Sequence, residues 1–323
     1  MNAIGVAMAV FLSAAPLSDE GFKEQMSEAI HRHDSGDYAG AITIYRSILK
    51  ERPHDPTVVY ELSLSMMVGK SPSDEQIKFI EGELKSKTKQ MPQLYASLAS
   101  AYDTQKNYAK GEATLRKGLA LDAKNVDLQF NLGVNLMMQD KPKQAEAPLR
   151  TAALLVPKWP APWRTLAMAL EDNGNQMDAF LVRAHFVLME PNTPRGKQAA
   201  TQLWPLLMKG VGPDSGGKIT VNVGKGADQL GLKLVAATRY AGHEKESDGE
   251  FFAGAFDSIV GLASELPADD LRKLAVEPFA EAKKAGVLTP LAWMLRRAAG
   301  DPDADTWFAT HKKEEGQLEA FFR

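Results

Sequence analysis

Three sets of residues have types and spacings that could carry chemistry. In GPDSGGKI, Gly212, Gly217 and Lys218 match the phosphate-binding loop GxxxxGK[S/T], whose backbone N–H groups cradle phosphates. Ile219 stands where that loop needs a hydroxyl for magnesium, and the segment opens a strand-like run rather than a helix; a flexible hinge is expected. The second set is the histidines. His31 and His33 in HRHD lie two apart on an expected helix, so they point in different directions and make no metal site. His33 with Asp34 fits a solvated helix end, and HEKE at His243 lacks the second histidine of a zinc protease. The third set is apolar: NLMMQD places Met137 and Met138 beside a face that Leu132 and Leu136 already supply.

No serine sits in a nucleophile elbow, and the carboxylate pairs Glu171-Asp172 and Asp269-Asp270 read as helix ends and caps. The chain has no cysteine, which excludes disulfides, thiolate metal sites and a cysteine nucleophile and fits either side of a bacterial membrane. Net charge is -3 with no basic block among the aromatics, so nucleic acid has no electrostatic footprint. No catalytic residue, metal site or cofactor is therefore expected. The leader, residues 1–21, carries an apolar run from Ile4 to Leu12 followed by small residues Ser13, Ala14 and Ala15. That run resembles a secretory signal, although no Lys or Arg precedes it and Pro16 follows its best small-residue site. It is too short to span a bilayer, and a periplasmic or secreted location is the expectation, with a cytoplasmic one as the alternative.

The elements that must position these residues follow a period. LLVP ends at Pro157 and LMEP at Pro191, 34 residues apart, and Ala123 of LALDA holds the same slot one period earlier; LKERP ends at Pro53. A fixed period of this length signals stacked helical pairs. Five repeats result, 22–55, 56–91, 92–125, 126–159 and 160–193. Their seventh and eighth positions pair large with small in Leu62-Ser63, Leu98-Ala99, Leu132-Gly133 and Leu166-Ala167. The twentieth is small again at Ala41, Gly111, Ala145 and Ala179, with Tyr45, Leu115 and Leu149 filling the space beside it. SGDY, QKNY, QDKP and DNGN mark the turns. Glu28 and Arg32 give repeat one the polar outer face of a terminal repeat.

These positions resemble the tetratricopeptide repeat (TPR) family over residues 22–193, strongly in repeats three to five, fairly in repeat one and poorly in repeat two. The resemblance implies that the first helix of each pair lines a concave groove through its fifth, ninth, twelfth and thirteenth positions. Repeat two offers Tyr60, Leu64, Met67 and Val68 there, and repeat four Phe130, Val134, Met137 and Met138. Repeat five offers Arg164, Met168, Glu171 and Asp172, and repeat three Ala96, Ser100, Asp103 and Thr104. Repeats two and four are thus apolar on two faces, which suits an apolar peptide or helix. The Lys, Asn and Arg of the family's carboxylate clamp are absent, their places held by Met26, Ile30, Tyr60, Leu64, Ala96 and Ser100.

Residues 194–217 read as a linker and 218–323 as a helical domain without repeat period, holding at most one short strand in KITVNV. Helices are expected at 227–240, 249–266, 268–285, 290–299 and 303–322. The whole is an all-α scaffold or adaptor that binds a protein partner in its groove. Two other readings remain: an enzyme in 211–323 with the repeats as docking arm, and an assembly protein whose groove is filled by its own C-terminal domain or a second copy.

Overall fold

A computed structural model describes residues 18–86, 91–209, 211–213, 219–221, 247–265 and 269–323. The apolar leader before Ser18 and the helix expected at 227–240 lie outside them. The chain forms two compact units that divide after Leu121. The first holds three helical pairs: α1 (Asp19–Asp34) with α2 (Tyr38–Glu51), α3 (Pro56–Val68) with α4 (Ser73–Lys85), and α5 (Pro92–Thr104) with α6 (Tyr108–Leu121). The second unit opens with two more, α7 (Val126–Met138) with α8 (Pro142–Leu155) and α9 (Pro160–Asp172) with α10 (Gln176–Met189). This is a TPR-like helical-repeat fold.

The period is written into the backbone. Gly36, Lys70, Lys106, Asp140 and Gly174 are left-handed, at intervals of 34, 36, 34 and 34 residues. After each, the next N–H bonds a carbonyl five residues back, as in Asn107 N to Tyr102 O and Lys141 N to Leu136 O, both within 3.0 Å. This is the Schellman ending, which satisfies the last carbonyls of the first helix and turns the chain into the second. First helices open on proline, at Pro56, Pro92 and Pro160, because the first helical N–H has no intrahelical acceptor and costs nothing to lose. The small residues lie at the crossings: Ala41, Ala145 and Ala179 are fully buried, and a Cβ built on Gly133 would overlap the Leu149 side chain. Tyr45 is fully buried in the core of the first two pairs, where burial pushes its phenol up to about 12. Arg32 stays exposed, paired with Glu28 and Asp37, as a terminal repeat requires.

Beyond residue 193 the structure departs from a linker. Helix α11 (Pro194–Thr201) starts 34 residues after Pro160 opens α9, in register as a sixth first helix, and α12 (Leu203–Met208) follows a break at Gln202. Strand β1 (Val211–Pro213) pairs antiparallel with β2 (Ile219–Val221). The strand expected in KITVNV thus has a partner from the Gly-rich joint, since a lone strand would leave its ladder groups unpaired. Next come α13 (Asp248–Glu265), α14 (Asp270–Lys284), α15 (Leu288–Ala298), α16 (Pro302–Thr310) and α17 (Lys312–Phe321). The single helix expected over 303–322 is two. His311 breaks it, with its Nδ1 2.8 Å from the Trp307 carbonyl oxygen and its ring stacked on Trp307 at 4.2 Å.

The core here is aromatic. Phe256 meets Phe180 at 5.8 Å, Phe252 at 6.0 Å and Phe279 at 5.1 Å, all four rings fully buried or nearly so. Gly249 lets Trp293 lie against α13, where a Cβ would overlap the indole. No described helix is long and apolar enough to cross a membrane.

Candidate functional site

The residues expected to line the groove fall in both units. In the first, Tyr60, Leu64 and Met67 are half-buried along α3, and Val68 at its end is 40% exposed. In the second, Phe130, Val134 and Met137 are half-buried on α7 and Met138 is 58% exposed. Phe130 is not free: its ring meets Trp159 edge-on at 4.7 Å, and Trp159 is the residue just before α9. The structure brings Arg164 and Met168 together. Both are exposed, one turn apart on α9, and with Glu171 and Asp172 they form one wall of a cleft of about 360 Å³. The opposite wall is Arg195 and Gln198 of α11 and Gln202, which ends it.

Residues 193–196 set the start of the helix that carries that second wall. Thr193 caps α11, its Oγ1 accepting from Gly196 N at 3.0 Å, and Pro194 takes the first helical position. Arg195 turns back onto Glu190 through two nitrogens, which together with Thr193 holds that carboxyl below the usual range. Gly196 lacks a side chain because a Cβ would overlap the Glu190 carbonyl. At the base, Arg183 of α10 is 8% exposed and pairs with Glu171. Burial lowers its pKa while Glu171 and Asp172 oppose that shift. Two of the three cleft arginines are therefore hydrogen-bonded to carboxylates; Arg164, beside an exposed thioether, acts on Glu190 only through space. The arrangement can hold an apolar side chain next to an acidic one.

Arg195, Gln198 and Gln202 were not legible as site residues once 194–217 was read as a linker. The signal lay in Pro194, one period after Pro160. His33 also differs from expectation: it is partly buried, with Nδ1 2.7 Å from Ser65 Oγ and its ring edge-on to Tyr38, rather than at a solvated end.

Among the described residues, the C-terminal helices meet the repeats mainly through α8, α10 and α11. Helix α14 packs on the second helices α8 and α10, and α15 on α10 and on α11, the sixth first helix. In the C-terminal region Thr310 Oγ1 lies 3.0 Å from His311 Nδ1, the geometry of a hydroxyl and its base. Thr310 Oγ1 also donates to the Trp307 carbonyl oxygen at 3.0 Å, and His311 Nδ1 lies 2.8 Å from the same oxygen, so both groups are turned onto their own helix end. No group of three His, Asp or Glu placed to hold a metal occurs among the described residues.

No family model matches the chain, and no curated protein matches it. Solved structures do. One from a functional characterisation of pilF of Pseudomonas aeruginosa is 17% identical, with a TM-score of 0.49 over 57% of this chain and 83% of that one. The thermophilic TPR protein TTC0263 of Thermus thermophilus is 18% identical, with a TM-score of 0.45 over 58% of this chain and 98% of its own. A MamA protein gives 18% and 0.45 over 54% and 93%.

Proposed function

We propose that this chain is a protein-interaction scaffold that holds a segment of a partner protein against its first helices. One observation carries the reading: Arg164 and Met168 line an open cleft between α9 and α11, in which Arg183 and Arg195 are hydrogen-bonded to carboxylates and Arg164 is not. An unbranched thioether adapts to different apolar side chains, and a guanidinium beside it selects those with an acidic neighbour. Met138, at the end of α7 in the same unit, offers further apolar surface to an extended or helical segment; Tyr60, Leu64 and Met67 on α3 offer a separate apolar face in the first unit.

A photo-crosslinking residue at Met168 in the native host tests this. Adducts to a second protein, weakened by Arg164→Glu, are expected; adducts only within the chain itself would falsify the scaffold reading. Export is part of the same proposal, motivated by the apolar run and small residues of the leader. Intact-mass measurement in that host should find the leader removed, and a full-length cytoplasmic species would sink it.

A further inference from the structure

The first unit contains a second cleft, of about 450 Å³, between α4 and α6. Its floor is Tyr95, Leu98 and Tyr102 of α5. At 3.6 residues per turn these face away from Ala96, Ser100 and Asp103, the groove positions of the same helix. Lys85, Lys110 and Lys117 stand around it with a single carboxylate, Glu81. Glu81 is engaged: Tyr102 donates to it at 2.5 Å, and Lys85 lies 3.8 Å away. Lys110 sits over the Tyr102 ring at 5.4 Å, and Lys117 makes no ion pair among the described residues. The connector that leads from α4 to α5 is six residues long, against four from α2 to α3, α8 to α9 and α10 to α11.

The second unit shows what such a cleft receives. There α9 lies below α8 and α10 as α5 lies below α4 and α6, and the place is filled by α14. Asp269, which caps α14, pairs with Arg150 of α8 at 2.5 Å. Arg272 pairs with Asp178 of α10 at 2.7 Å, the two side chains only 10% and 15% exposed. His185 of α10 is buried and packs against the Trp163 ring, centroids 4.3 Å apart. Trp163, Asp178 and His185 stand two periods after Tyr95, Lys110 and Lys117. The scaffold positions are the same and the charge is inverted: Asp178 meets an arginine, whereas Lys110 calls for a carboxylate.

We propose that the cleft between α4 and α6 docks an amphipathic helix of a partner protein. That helix seats as α14 does in the second unit and sets an acidic side chain against Lys110 and Lys117. Within the first unit the surface is separate from the groove positions of α5.

The probe is a labelled peptide of residues 269–285 carrying Arg272→Glu, titrated into the full chain. Saturable binding is expected, weakened about tenfold or more when the chain carries Lys110→Glu. The peptide with Arg272 retained should prefer that variant. Lys110 is exposed, so circular dichroism should show the variant folded. Absence of saturable binding, or equal affinity for parent and variant, overturns the proposal. So does self-association abolished by Lys110→Glu, which would make the occupant a second copy.

Discussion

The repeats of the second unit and the helices that follow them solve the same packing problem differently. Between α7 and α10, neighbours in space are neighbours in sequence, and the decisive residues are small: Gly133 and Ala145 let helices cross. Between α13 and α15, the decisive residues are large and distant. Phe180 reaches Phe252 and Phe256, and Asp178 reaches Arg272, more than seventy residues on. Local packing can be repeated and extended; the aromatic cluster is made once, and it fixes α10 from outside. The C-terminal region is therefore part of what stabilises the last repeat.

Phe256→Ala should have the largest effect, about 3–5 kcal/mol of lost stability, because the ring is fully buried among three others. Hydrogen exchange should rise in α10 as well as in α13 to α15. Unchanged protection in α10 would reduce the region to an appendage.

His185 lies where the two kinds of packing meet, and burial lowers its pKa from 6.5 to about 4. The unfolded chain then binds more protons than the folded one between those values. Stability from this site is intact above pH 6.5 and declines as pH falls towards 4, by roughly 3 kcal/mol in all. Denaturant melts across that range should flatten in His185→Leu; a slope identical to the parent's would place the titration elsewhere.

Gly133→Leu and Ala145→Leu should each cost about 1–3 kcal/mol by overpacking a crossing. Their loosening should centre on α7 and α8. Melts that match the parent would refute the crossing assignment.

The smallest effect belongs to Met138→Gln, within about 0.5 kcal/mol because the side chain is 58% exposed. A loss several times larger in a thermal melt would put Met138 in the core rather than on a binding surface.

The same contrast explains what could be read in advance. The pairs were legible because their constraints are local: a turn that needs a left-handed residue, a crossing that needs a small one, a first position that tolerates proline. α11 was missed because the pair-ending proline was followed instead of the pair-opening one, and Pro194 continues only the latter series. Arg195 and Gln198 were lost with it. The break at His311 has no glycine or proline to announce it; it depends on an imidazole reaching its own helix's carbonyl. Nor does spacing show that α14 seats on α8 and α10, since Arg272 and Asp178 find each other only in the folded chain.

One turn has a consequence for how the protein ages. Asn173-Gly174 is the dipeptide most prone to spontaneous deamidation, which requires the glycine nitrogen to attack the asparagine amide carbon. Here Gly174 N is held on Glu171 O at 3.0 Å, and the Asn173 amide donates to Glu146 Oε2 at 3.0 Å and Pro142 O at 3.3 Å. The left-handed residue that joins α9 to α10 thus also protects the turn from its own chemistry. Once the pair opens, that protection ends, and the aspartate that forms would face Glu146 when the chain tries to close again. Peptide mapping after incubation below and above the melting temperature should find the modified residue only in the second sample, and a repeat once opened for long would not regain its original stability.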